Sequence, residues 1–459
     1  MVEIISKLCF TGIRYHLKTS RVVKYHRRTS FLVFNKRCMS TELAHETFTA
    51  TNLQSSATKY YRDDYLIETE YYFENGLRKV YPYYFQYSTF CKGRWLNRKL
   101  IDVYSEEFPI YPRKEFERRI SEGVLKVNGK SVDLDYILRD GDHLTACGHR
   151  HELGVLASPV NIIYENEDFL IVNKPSSIPV HPCGLYRHNT ILFILAKEKN
   201  RKNLHVAHRL DRLSSGVLIL AKSSKKSREL HDQLNLHDVK KEYVCRVEGN
   251  FPDGILICNK PLKKINHKLG ISIVDPSGKV SVTEFKKLSF NGKSSVVCCR
   301  PLTGRTHQIR VHLQYLGYPI VNDPLYNSYA FGPAKGKHGI FHKTIKELLE
   351  DLAEEHTSEW WLESSYANID EAYETGKSEM NFRQQMQFAM IDKELVESKY
   401  KKDDAKVSFD KNCYFCCRSY RDPKPINLIM FLHSLKYQAR DWEFRTEMPT
   451  WASEEWNLM

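Results

Sequence analysis

The chain has 459 residues, 42% of them hydrophobic and 27% charged, with a formal net charge of +13 and a pI near 9.0. That length and composition supply enough apolar surface for two or three cored domains and exclude a wholly disordered chain. The positive balance favours a polyanionic partner, because a positive field gathers phosphate before any specific contact forms. Twelve cysteines scattered without a small-domain framework point to a reducing compartment. No apolar run approaches the roughly 20 residues that span a bilayer, so no membrane partner is expected.

In chain order, residues 1–41 carry no acid between Glu3 and Glu42 while Lys7, Arg14, Lys18, Arg21, Lys24, Arg27, Arg28, Lys36 and Arg37 accumulate. This is the composition of a transit peptide, and it predicts mitochondrial import, with the cytosol as a second compartment; a disordered basic arm touching RNA is the other reading. Residues 42–92 form an N-terminal extension whose aromatic stretch from Tyr60 to Phe90 shows no usable period. From Arg94, the spacing of Leu96, Leu100 and Val103, then of Phe116 and Ile120, predicts two short helices. A strand over Gly123–Val127 closing on Asn128-Gly129, a second strand at Tyr136–Leu138 and a Gly141-Asp142 turn complete a small basic α/β unit over 93–150. This unit resembles a helix-plus-hairpin RNA-binding domain.

Residues 160–345 read as the main domain. Apolar runs at Ile162–Tyr164, Phe169–Val172, Val217–Leu220, Tyr243–Val247 and Val296–Cys298 predict strands, and helices fall between them at Leu192–Lys199 and Ser224–Asn235, giving an α+β pattern. A charged helical insertion follows over 346–406. The segment 407–459 turns apolar and aromatic again and is expected to pack on the main domain.

The densest chemical signal is His208-Arg209-Leu210-Asp211-Arg212-Leu213-Ser214-Ser215-Gly216, placed immediately before a buried strand. Opposite charges around Asp211 favour its ionised form, as a nucleophilic or basic carboxylate requires, and the Ser-Ser-Gly sequence lets the backbone bend sharply. An isolated Arg-x-Asp-Arg more often only staples a loop. Three further segments bear on this choice: Phe169–Pro175 with Ile178–Pro182, Lys241-Glu242-Tyr243, and Thr303–His312 containing Arg305, His307 and Arg310. Pro319–Tyr326 follows these, with Asn322 where glycine would be usual. Together and in this order they resemble the RluA-type RNA pseudouridine synthases.

The resemblance implies a pseudouridine synthase catalytic fold with a central mixed, mainly antiparallel sheet, preceded by the small RNA-binding domain. It implies Asp211, Tyr243 and Arg310 as the catalytic set and Arg209, Arg212, Arg305 and Lys174 as RNA contacts, with RNA, and tRNA in particular, as partner. Breaking the bond from ribose to the base nitrogen, turning the base and rejoining it through a ring carbon needs no cofactor, redox centre or metal. Asp211 would act by attacking the nucleoside or by removing a ribose proton, and the flipped uridine would meet Tyr243. His208 and His307 are expected to be packing or backbone-bonding residues.

Segments at Arg94-Trp95 and Leu432–Ala452 resemble fungal members that modify position 32 of the tRNA anticodon loop. Deaminase chemistry found in one such relative is not expected, for want of an H-x-E element and because Asn412 stands before Cys413. Cys413-x-x-Cys416-Cys417 with His433 lacks a second ligand pair, so no metal is expected. The rival functions are a noncatalytic RNA-binding protein or chaperone with the same fold, and a hydrolytic glycosidase, which would call for a second carboxylate. Oligomeric state stays open.

Overall fold

A computed structural model describes residues 68–108, 111–266, 270–355, 400–420 and 422–456. The basic N-terminal arm, most of the 42–92 extension and most of the charged 346–406 stretch fall outside them.

Within the described residues, the aromatic stretch without a period forms short strands from Tyr71 onward. β1 (Tyr71–Glu74) and β2 (Leu77–Val80) form a hairpin through Asn75-Gly76, both at positive φ (51° and 75°) as a tight two-residue turn needs. Tyr71 and Phe73 point inward and cover Arg78, which is fully buried and ion-paired with Glu198. β3 (Tyr83–Phe90), α1 (Leu100–Glu107), α2 (Arg113–Ser121), β4 (Leu125–Val127) and β5 (His143–Arg150) then make the small unit, with sheet order β3-β5-β4. Leu100, Val103, Phe116 and Ile120 on the two helices pack against Leu125, Val127 and Leu144.

This unit differs from its sequence reading in two ways. It recruits β3, ten residues before Gly93, as a full antiparallel partner of β5. The partner of β4 is β5, not Tyr136–Leu138, where only Ile137 makes an isolated bridge to Lys99. Asn128-Gly129 turns the chain tightly onto Lys130, and the Asn128 side chain then ties to Asp142 and to the His143 amide, bringing residue 143 onward alongside β4.

β6 (Val155–Leu156) returns to β2. The main domain follows as β7 (Asn161–Glu165), β8 (Phe169–Lys174), α3 (Ile191–Lys199), β9 (His205–Val206), β10 (Ser215–Ala221) and α4 (Ser224–Asn235). It continues as β11 (Lys240–Glu248), β12 (Ile255–Cys258), β13 (Leu262–Lys264), β14 (Ser272–Val274), β15 (Thr283–Phe290), β16 (Ser294–Pro301), α5 (Gln308–Tyr315) and α6 (Ile345–Glu355). The last strands are β17 (Leu432–Gln438) and β18 (Glu443–Arg445). Ten strands form one sheet with the path β12-β15-β16-β11-β17-β10-β8-β7, β9 adding to β10 and β18 to β17.

Every neighbouring pair in this sheet is antiparallel except β10 with β17, so the architecture is α+β with a mixed, mainly antiparallel sheet. The unbroken apolar run of β10 has a direct cause: Leu218 and Leu220 enter the core under α3, while Val217 and Ile219 enter the core under α4, so both faces are covered. β17 does more than pack on the main domain, because it lies inside the sheet between β10 and β11. Asn322 holds its approach in place, donating Nδ2 to Ile429 O at 2.9 Å and accepting from the Phe431 amide at 2.8 Å. Cys413–Cys417 instead lies against the small unit: Phe415 meets the Tyr111 ring, and Arg118 Nη2 donates to Asn412 O at 3.0 Å. Among the described residues no helix is long and apolar enough to cross a membrane.

Candidate active site

Asp211 sits in the loop that precedes β10, and that loop can turn into the strand because residue 216 is glycine. Gly216 has φ +107°, and a Cβ there would lie 2.2 Å from Ser434 O on the parallel neighbour β17. The close backbone approach joins β17 to β10, and β11 pairs with the other edge of β17. Tyr243, on β11 opposite Ser434 and next to a register shift, is thereby carried to the same end of the sheet as Asp211.

Arg310 reaches the site from the first turn of α5. Its Nε and Nη2 donate to the two oxygens of Asp323 at 2.6 and 2.8 Å, and its remaining Nη1 donates to Asp211 Oδ2 at 3.0 Å. Asp323 also accepts the amides of Leu325 and Tyr326, both at 2.9 Å. The guanidinium is therefore clamped by a buried carboxylate and aimed at a second one, whose side chain stays 33% exposed. Burial alone would raise the Asp211 carboxyl, but His307, Arg310 and more distant Lys174 outweigh it and hold the group below the ordinary aspartate range.

His307 begins α5 in the left-handed region (φ 56°), and its Nε2 lies 3.7 Å from Asp211 Oδ2. Tyr326 OH accepts the Ser272 amide and donates to His307 Nδ1 at 3.0 Å, which leaves the Nε2 proton facing the aspartate. Burial and the nearby Arg310 lower the imidazole to about 4, so at neutral pH it is uncharged and the guanidinium is the cation that holds Asp211 ionised. His208 is also neutral, lowered to about 4 by burial, and its Nε2 accepts the Ile219 amide at 3.0 Å, a backbone-bonding place.

The Tyr243 hydroxyl lies 2.6 Å from that of Tyr437 on β17, and burial raises both phenols, so both keep their protons at neutral pH. Asp211, Tyr243, Arg310 and Tyr437 line one groove of about 990 Å³, a volume ordinary for a ligand site. Arg209, Arg212, Lys241, Lys264 and Arg305 lie around it and make it basic. Arg209 and Arg305 are exposed, whereas Arg212 lies over the Tyr186 ring.

Lys174 does not reach this surface. It is fully buried, its ammonium donating to Pro175 O at 2.8 Å and Arg212 O at 3.0 Å, and burial lowers it to about 7. Its place corrects the expectation of an RNA contact: the side chain fastens the loop carrying Asp211 to β8. Tyr437 and Asp323 were not singled out from sequence. Tyr437 reads as a core residue of an alternating strand, and Asp323 lies in a matched segment without marking itself as the partner of Arg310.

The ground for expecting no metal also changes. His433, considered beside the cysteines, lies elsewhere, bonding Ser215 and Thr446, but His149 and His151 come up to Cys413 and Cys416 and supply the second pair that the sequence lacked.

A buried cation aiming one ionised carboxylate into a basic groove is an arrangement suited to a polyanionic ligand. Residues 168–315 match the family model described as RNA pseudouridylate synthase. The chain is 45% identical over 418 residues to the human pseudouridylate synthase RPUSD2, covering 86% of this chain and 77% of that one. It is 36% identical over 402 residues to the mitochondrial tRNA pseudouridine(32) synthase of Saccharomyces cerevisiae, covering 84% and 79% respectively. It is 30% identical over 427 residues to that yeast's tRNA pseudouridine(31) synthase, covering 83% and 97%. The chain belongs to the RNA pseudouridylate synthase family and is an isomerase that converts uridine in RNA to pseudouridine.

Proposed function

We propose that the protein acts on tRNA, isomerising uridine 32 of the anticodon loop with Asp211 as the acting carboxylate, and that it serves mitochondria. The observation that carries this reading is the 3.0 Å bond from clamped Arg310 to the partly exposed Asp211 inside a groove with room for a nucleotide. Similarity to two yeast proteins named for anticodon-loop uridines, one of them called mitochondrial, supports the substrate and compartment. The basic N-terminal 41 residues support the same compartment.

In the reaction, the bond from C1′ to the base nitrogen N1 breaks, the uracil turns, C1′ bonds to the ring carbon C5, the C5 proton leaves and N1 takes up a proton, so that the formula is unchanged. Asp211 serves the ribose side, as nucleophile or as base, while Arg310 keeps it charged and oriented. Tyr243 offers its ring to the freed uracil and its hydroxyl, backed by Tyr437, to the departing proton. Reaching both faces of one nucleotide requires the uridine to be flipped out, and the exposed Arg209 and Arg305 stand where flanking phosphates would be gripped. Arg212 serves the same strand closer in.

The test is pseudouridine mapping of tRNA transcripts and cellular tRNA pools with wild-type protein and with Asp211→Ala. Product at position 32 that disappears in the variant while tRNA binding persists is the expected result. Undiminished product would remove Asp211 from the reaction, and product confined to another position would overturn the assignment to uridine 32. Fractionation of cells expressing the chain with and without residues 1–41 tests the compartment.

A further inference from the structure

Outside the lining of the groove, four side chains converge that share the chemistry of soft-metal ligation. His149, at the end of β5, and His151, two residues on, present their rings on the same side of the chain. Against them lie Cys413 and Cys416 of the C-terminal segment, and the four ligand atoms all fall within 4.8 Å of one another. Cys416 Sγ is 3.2 Å from His149 Nδ1 and 3.3 Å from His151 Nε2, and these two nitrogens are 3.2 Å apart. With metal–nitrogen bonds of about 2.05 Å and metal–sulfur bonds of about 2.3 Å, a tetrahedron has edges of roughly 3.3–3.8 Å, so Cys416 and the two histidines already stand near coordinated spacing and Cys413, within 4.8 Å of them, closes the set by moving about 1 Å at most.

The surroundings are arranged as a metal site requires. Ser408 Oγ donates to Pro82 O at 2.7 Å, so its contact of 2.7 Å with His149 Nε2 has the ring as donor. The proton is thereby fixed on Nε2 and the Nδ1 lone pair is directed into the cluster, the outer-sphere arrangement that orients a ligating histidine. The Asp410 amide donates to Cys416 Sγ at 3.4 Å, a backbone contact that a metal-bound sulfur would keep. Cys417, by contrast, is exposed and turned away toward Lys411 O.

We propose that His149, His151, Cys413 and Cys416 bind one zinc ion in a closed, structural site that fastens the C-terminal segment to the small α/β unit. Two thiolates and two imidazoles in a compact tetrahedral set favour zinc over hard cations, which take oxygen ligands. Binding releases two thiol protons to solvent, and the two thiolates neutralise the dication. Four protein ligands leave no position for water or substrate, and none of the four lines the groove around Asp211, so the ion has no part in the isomerisation. It would join residues 265 positions apart and thereby hold the small unit against the chain that runs on into β17, the strand beside Asp211 and Tyr243.

The test is zinc content, by elemental mass spectrometry, of the untagged full chain purified without chelator. About one zinc per chain is expected in wild type and in Cys417→Ser, falling at least about tenfold in Cys413→Ser with Cys416→Ser and in His151→Ala. Because these variants could lose zinc through misfolding, the cobalt-substituted wild-type chain gives a second reading: strong tetrahedral d–d absorption with thiolate-to-cobalt charge transfer. Wild-type protein that holds no zinc after equilibration with micromolar zinc, a weak octahedral cobalt spectrum, or zinc retained by the double cysteine variant would each overturn the proposal.

Discussion

Arg310 donates Nη1 to Asp211 Oδ2 at 3.0 Å while its other edge is locked in a two-point fork on Asp323. On the proposed reading, in which Asp211 is the acting carboxylate, this division of one guanidinium between two carboxylates separates aiming from acting. Asp323 is fully enclosed and never meets substrate, whereas Asp211 opens onto the groove. Asp211→Asn, nearly isosteric, should therefore abolish release of tritium from C5-labelled uridine in RNA, a loss of roughly 10³-fold or more. Asp323→Asn should lower kcat by about 10–100-fold with little change in KM, because it loosens the aim of the cation without removing the acting group. Equal loss in the two variants would contradict the division.

The pH dependence follows from the same contact. If Asp211 acts as proposed it must be ionised, and its carboxyl lies below the ordinary aspartate value, so kcat/KM should show no acidic limb from this group above about pH 4. Replacing Arg310 by Lys weakens the interaction opposing burial, so the limb should move upward relative to wild type. The sign for stability agrees. Asp211 and Asp323 are both depressed, so their contribution is present above the unfolded value near 3.9 and is lost as pH falls through their folded values. The acid-unfolding midpoint of Arg310→Lys should accordingly rise, as followed by circular dichroism.

The hydroxyl pair Tyr243–Tyr437, 2.6 Å apart, predicts a role for a residue far along the chain. Tyr437→Phe removes one hydrogen bond and keeps the ring, so kcat should fall by about 2–10-fold, the worth of about 0.5–1.5 kcal/mol, with tRNA affinity unchanged. Tyr243→Phe should be at least as damaging, and the double variant no worse than Tyr243→Phe alone if the two hydroxyls act as one unit. Single-turnover rates with saturating enzyme separate these cases.

Much of this site was legible in the sequence, for reasons that differ between residues. Asp211 announced itself because its charged neighbours and the Ser-Ser-Gly bend are local. Arg310, 99 positions away, was visible only through an ordered motif. Tyr437 was not visible, because a tyrosine alternating in a strand has the same pattern whether its hydroxyl is buried idly or points at an active-site partner. Likewise the run Val217–Leu220 revealed a buried strand, but nothing in it showed that the neighbour on one side would come from residue 432 onward. Lys174 misled because its expected RNA contact came with the matched motif, which does not show that two backbone carbonyls draw its ammonium inside. The histidine pair His149 and His151 escaped because spacing exposes metal ligands only when both ligand pairs lie near each other in sequence.

The basic residues around the groove should separate by where their charge ends. Arg209→Ala and Arg305→Ala remove exposed guanidinium groups, so each should weaken tRNA binding and reduce the slope of log K against log salt by about 1. Lys174→Ala should leave that slope unchanged and instead lower the unfolding temperature, since it deletes the donor to Pro175 and Arg212 carbonyls and leaves a cavity. Filter binding across a salt series, paired with thermal melts, reads both quantities on the same proteins.

Gly216 offers a test of the parallel join that brings the three segments of the site together. A methyl group there would stand 2.2 Å from Ser434 O and 2.7 Å from Ser434 N, both backbone atoms of an interior strand that cannot swing aside. Gly216→Ala should cost at least about 3 kcal/mol, combining overpacking with a backbone conformation unfavourable to L residues, and lower the melting temperature by roughly 5–10 °C. Gly249 supplies the control, because it also has positive φ, at 73°, but nothing lies within 4 Å of its added carbon. Gly249→Ala should cost only about 1–2 kcal/mol, the conformational part alone. If the two variants melt together, the close approach of β10 to β17 is not what holds the strand in place, and the position of Tyr437 beside Tyr243 would need another cause.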